Sequence, residues 1–83
     1  MSDKQLAEYM IEYVGGKHNI KNVIHCITRV RFYLVDKEKA DTNKIKELDS
    51  VMGVVEAQGQ YQVVVGNKVN AIYEEVMHQL NND

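Results

Sequence analysis

Leu6, Met10 and Val14, with Ala7 and Tyr13 beside them, recur every three to four positions and draw one apolar stripe along a helix. Ser2 and Gln5 stand ahead of it at capping-box spacing, and the Gly15-Gly16 pair ends it. From Val23 to Val35 the period changes to two: Val30, Phe32 and Leu34 alternate with Arg29, Arg31 and Tyr33, the pattern of a strand with one buried face. The charged stretch "DKEKADTN" breaks that pattern, and Ile45 and Leu48 then mark a short helix that Asp41, Thr42 or Asn43 caps. "GVVEAQGQYQVVVG" reads as a hairpin around Gly59, with Gln60 and Gln62 out of phase with Tyr61 and Val63 as in a half-buried strand. Val69, Ile72, Tyr73, Val76 and Leu80 return to helical spacing, with Asn67 as the expected N-cap. The order αββαββα predicts an α+β two-layer sandwich: a four-stranded antiparallel sheet with the helices on one face. The chain carries no proline, low-complexity run or repeat, so one domain is expected over residues 1–83, with a linker beginning at about 80–83.

The stretch from Val23 to Val35 is too long for one strand of about 5–6 residues, and its phase shows where it breaks. On a regular strand Arg29 and Arg31 project from one face while Cys26 and Thr28 project from the other. A turn between His25 and Thr28 removes that separation and sets Cys26 near the tip of a hairpin, beside the arginines. Nearby positive charge from Arg29, Arg31 and a protonated His25 lowers a cysteine pKa, and the thiolate is the reactive form. The same arginines can hold a phosphoryl group by charge-assisted hydrogen bonds, with the Thr28 hydroxyl and the turn amides, Ile27 among them, completing a cradle. A thiol beside an anion cradle points to phosphoryl transfer through phosphocysteine. A lone cysteine is more commonly a small buried hydrophobe, so the competing reading is a small regulatory or ligand-binding module whose thiol is incidental.

Composition narrows the classes. With 83 residues, 45% of them hydrophobic, the chain supports one modest core and no deep internal substrate chamber. A single cysteine excludes an internal disulfide and a cysteine-based zinc site, and the N-terminus lacks the apolar segment of a signal peptide, so a cytoplasmic setting is expected. A net charge of −2 gives no footprint for nucleic acid, and no apolar run approaches the roughly 20 residues that span a bilayer. His18, His25 and His78 are scattered without ligand spacing, so no metal is expected, and "VVVGNKV" lacks the second glycine and Lys-Ser/Thr pair of a phosphate loop, so no cofactor is called for. A cysteine-phosphatase loop needs an arginine six positions after the thiol, where this chain has Phe32. The five tyrosines fit core packing better than a stacking surface, with Tyr9, Tyr13 and Tyr73 at helix core positions.

"VGGKHNIKNVIHCITRVRFYL" resembles the signature around the phosphorylated cysteine in IIB domains of the glucose superfamily of the bacterial phosphoenolpyruvate-dependent sugar phosphotransferase system. "LDSVMGVVEAQGQYQVVVGNKV" is similar to the second half of that domain. The resemblance implies a phosphocarrier whose Cys26 takes a phosphoryl group from a histidine of a IIA partner and passes it to a sugar bound by a membrane IIC domain. Thr28, Arg29 and Arg31 fall on the family's Thr-Arg-x-Arg positions, whose arginines are associated with phosphoryl binding and onward transfer. Ile24-His25 replaces the Asp-Ala pair usual in glucose and N-acetylglucosamine members. His-Cys-x-Thr-Arg-x-Arg is more like the sucrose, trehalose, β-glucoside and N-acetylmuramic acid members, and makes His25 a further candidate for stabilising the thiolate. The implied setting is the cytoplasmic face of the membrane, tethered to IIC, with the isolated domain a monomer. Sugar choice belongs mainly to IIC.

Overall fold

The computed structural model describes residues 1–82. Helix α1 (Asp3–Tyr13) begins on a complete capping box: Ser2 Oγ accepts from the Gln5 backbone N–H, and Gln5 Oε1 accepts from that of Ser2. Two of its otherwise orphaned ends are thereby satisfied. Strands β1 (Ile20–His25) and β2 (Arg29–Leu34) form the first hairpin, α2 (Thr42–Lys46) follows, β3 (Gly53–Ala57) and β4 (Gln60–Val64) form the second, and α3 (Val69–Asn81) closes the order. The sheet runs β1-β2-β4-β3, every neighbouring pair antiparallel. This is the predicted two-layer α+β architecture.

Register explains the layers. His25 opposes Val30 and Val23 opposes Phe32 on the first hairpin, while Val30 and Phe32 oppose Val63 and Tyr61 across the sheet centre. Opposed residues share a face, so Val23, Val30, Phe32, Tyr61 and Val63 form one apolar layer. It packs with Leu6, Ala7, Met10 and Val14 from α1 and its end, Ile45 from α2, and Ile72 and Val76 from α3. Ile24, Arg29, Arg31, Tyr33, Gln60 and Gln62 fall on the other face, away from the helices.

Several local expectations change. The first strand starts at Ile20, earlier than the alternation indicates. Asp41 is the residue that caps α2, its carboxylate accepting from Lys44 N–H. Asn67 does not cap α3, because a 3-10 turn over Gly66–Lys68 feeds directly into the helix and no side-chain cap forms. Tyr9 is exposed rather than core, and stands 5.7 Å from the Tyr13 ring. Of the residues expected to start a linker, Leu80 and Asn81 belong to α3, Asn82 is its C-cap, and Asp83 lies outside the described residues.

Gly15, just past α1, has φ +111, and a Cβ there would lie 2.5 Å from Asn19 Nδ2. That buried amide joins the helix end to the segment just after β2: Nδ2 donates to Val14 O and Asp36 O, and Oδ1 accepts from Asp36 N–H. Gly15→Ala is therefore expected to destabilise the domain by about 1–3 kcal/mol from backbone strain, with a further loss as Asn19 is displaced. A urea midpoint equal to that of the wild type would show that Asn19 adjusts freely.

Candidate functional site

The hairpin between β1 and β2 resolves the phase conflict in the sequence. The chain reverses at Ile27 and Thr28, and the Cys26 N–H donates to Arg29 O at 3.0 Å. Cys26 therefore follows Ile24 onto the face that carries Arg29 and Arg31. The turn is tied down from behind, since Thr28 O accepts from both Val65 N–H (2.9 Å) and Gly66 N–H (3.0 Å). Gly66 has φ +66, a left-handed conformation that favours glycine, and this aims its amide at the loop. Both amides lie where β4 ends, so the sheet centre holds the loop.

The Cys26 thiol is half-exposed and its pKa is lowered. The Thr28 backbone N–H is the largest influence, burial opposes it, and the Arg31 side chain adds a hydrogen bond and positive charge, with the Arg29 backbone N–H contributing as well. These amides and the guanidinium form an electropositive turn around the sulfur. Arg29 acts on the sulfur through its backbone, while its side chain is engaged elsewhere: Nη1 donates to Gln62 Oε1 at 2.8 Å. Arg31 Nη1 donates to Gln60 Oε1 at 3.0 Å, and its Nε is buried without a hydrogen-bond partner among the described residues.

The other predicted residues separate. Thr28 has an exposed side chain, and its amide and carbonyl are the groups engaged at the loop. Ile27 stands at the apex of the turn with its side chain 87% exposed. His25 points to the helix side, where its ring packs at a tilt against Tyr73 of α3 with centroids 4.3 Å apart, and its Nδ1 lies 3.2 Å from Cys26 O. That contact sets it against the turn's backbone. Gln60 and Gln62 were missed as site residues. Their alternation with Tyr61 and Val63 reads as a solvated face, yet both are buried, because β4 is a central strand and the arginines lie across it.

The model of the family "phosphotransferase system, EIIB" matches residues 8–41, which contain the Cys26 turn and both arginines. A crystal structure of one domain of the PTS system IIabc component from Clostridium difficile superposes with a TM-score of 0.87 at 35% identity, over 92% of this chain and 80% of that one. The chain belongs to the EIIB family. Among curated relatives, this EIIB chain is 48% identical over 77 residues to a β-glucoside-specific EIIBCA component from Halalkalibacterium halodurans. It is 40% identical to a sucrose-specific and to a trehalose-specific EIIBC component of Bacillus subtilis. The aligned region covers 93%, 89% and 88% of this EIIB chain but only 12%, 16% and 16% of those relatives. Their names match the subgroup that His-Cys-x-Thr-Arg-x-Arg suggests. Among the described residues of this EIIB chain, no helix is long and apolar enough to cross a membrane.

The geometry makes a pH prediction. Arg31→Met removes a hydrogen bond and a positive charge that lower the Cys26 pKa, while the Thr28 N–H remains. The midpoint of pH-dependent alkylation should move up without reaching that of a free cysteine, so the reaction slows at neutral pH. A midpoint unchanged from wild type would mean that Arg31 does not act on the sulfur.

Proposed function

We propose that this EIIB domain, over the length of the described chain, is a phosphocarrier whose Cys26 thiolate receives a phosphoryl group from a phosphohistidine of a IIA domain and delivers it to a sugar held by a membrane IIC domain. The observation that carries this reading is the half-exposed thiol set among the Thr28 and Arg29 amides and the Arg31 guanidinium. An incidental, inert cysteine would instead sit in apolar surroundings with a raised pKa.

In the first step Sγ attacks phosphorus, the S–P bond forms, and the P–N bond breaks with its electron pair going to the donor imidazole, which takes up a proton. In the second a sugar hydroxyl oxygen attacks phosphorus, the S–P electron pair returns to Sγ, and the hydroxyl proton leaves to a base. Both steps are favoured by fixed donors at the transferring group. Arg31 and the turn amides supply them here, and Arg31 Nε is a further donor with no acceptor among the described residues. The Arg29 side chain, bonded to Gln62, lies on the same face of the sheet. Exposed Ile27, with Met52 exposed beside Gly66, gives the turn an apolar rim suited to a docking partner.

The names EIIBCA and EIIBC of the relatives support IIC and IIA partners and a place on the cytoplasmic face of the membrane. Their printed sugars make β-glucosides, sucrose and trehalose the panel to try. Membranes carrying a cognate IIC, supplied with the phosphorylated domain, are expected to transfer label to one of these classes; label that never leaves the domain would overturn the carrier role.

A further inference from the structure

The face of the sheet that carries the arginines is organised by a chain of side-chain hydrogen bonds with a single direction. Gln60 Nε2 donates to Tyr33 Oη at 2.7 Å, which turns its Oε1 toward the site. That oxygen accepts twice, from Arg31 Nη1 at 3.0 Å and from Gln62 Nε2 at 2.9 Å, so both of its lone pairs are used. With its amide nitrogen thus engaged, Gln62 presents Oε1 to Arg29 Nη1. Gln60 and Gln62 are 8% and 2% exposed, so water cannot readily replace a partner that is lost.

The bonds are also diagonal. Arg31 opposes Gln62 in the register, and Arg29 opposes Val64, yet each guanidinium is held by the glutamine two residues further from the turn. Each head is thus laid along the sheet and gripped at Nη1. For Arg31, the grip fixes one corner of the planar fork while the guanidinium bears on the thiol.

We propose that Gln60, tethered by Tyr33, is a positioning residue that acts through Arg31 to keep the guanidinium on the Cys26 thiol. This rests on the carrier reading for its use in phosphoryl transfer, but the grip itself is testable on the bare thiol. Gln60 touches no reacting atom. Its effect on Cys26 passes through Arg31, whereas a merely structural glutamine would act with or without that arginine.

The test is a double-mutant cycle read by the pH midpoint of Cys26 alkylation with iodoacetamide, a readout that needs no phosphoryl group. Gln60→Met, which keeps length and removes the amide, is expected to raise the midpoint by at least half the step that Arg31→Met gives. Added to Arg31→Met, it should raise it no further. An unmoved midpoint in Gln60→Met, or an equal step in both backgrounds, overturns the proposal. Tyr33→Phe leaves the amide and cuts its tether, and should move the midpoint the same way by a smaller step. If Gln60→Met does not fold, an unmoved midpoint in Tyr33→Phe overturns the proposal instead. Phosphoryl acceptance from a IIA partner, measured on the same proteins, separates the outcomes: a wild-type domain that takes no phosphoryl group defeats the carrier reading and leaves the cycle to decide on Gln60.

Discussion

Cys26→Ser is expected to abolish phosphoryl acceptance from a IIA partner while leaving the fold intact. The exchange preserves shape at a half-exposed loop position and keeps the backbone bond from residue 26 to Arg29 O, so stability should stay within about 0.5 kcal/mol of wild type. The chemistry does not survive it. The turn amides and Arg31 lower the thiol's pKa and so favour the thiolate, whereas a serine hydroxyl ionises far less readily than a thiol and is a weak nucleophile in the same place. A melting curve that overlays wild type, together with loss of label, would assign the defect to the nucleophile. Label retained at the wild-type level would place the acceptor elsewhere.

Phe32→Ala is expected to produce the opposite pattern. Phe32 is fully buried at the centre of the apolar layer, opposed by Val23 on one side and Tyr61 on the other. Truncation removes its contacts and leaves a cavity that costs about 3–5 kcal/mol, a large part of the roughly 5–15 kcal/mol that holds a domain together. The melting temperature should fall by on the order of 10–40 °C. Phe32 lies on the face opposite Arg31 and Tyr33, so the molecules still folded should keep a normal alkylation midpoint at Cys26. A loss of less than about 1 kcal/mol would mean that neighbouring side chains close the gap, contrary to the packing described.

The same division between local and non-local information explains what the sequence made legible. The capping box at Ser2 and Gln5, the α1 stripe, and the break near Cys26 are encoded within a few residues, and each is present. The break was readable because a continuous strand would have put Cys26 and the arginines on opposite faces. The hairpin brings Cys26 and Arg29 opposite each other instead. Gln60 and Gln62 were not readable as buried site partners, because their environment depends on β2 and β3 flanking β4, a pairing set by register across the sheet. His25 packs against Tyr73, 48 positions along the chain, so its place on the helix side likewise depends on how α3 packs. The absent Asn67 cap has a local cause that periodicity cannot register, the 3-10 turn leading into α3.

Locating the phosphorus is the most direct measurement of the central claim. The wild-type domain would be incubated with phosphoenolpyruvate, the general phosphotransfer proteins and a cognate IIA, then examined by phosphorus NMR and peptide mapping. The account predicts one phosphoryl group per chain, bonded to Cys26 Sγ. A chain that stays unlabelled beside a phosphorylated IIA, or one labelled on His18, His25 or His78, would contradict it.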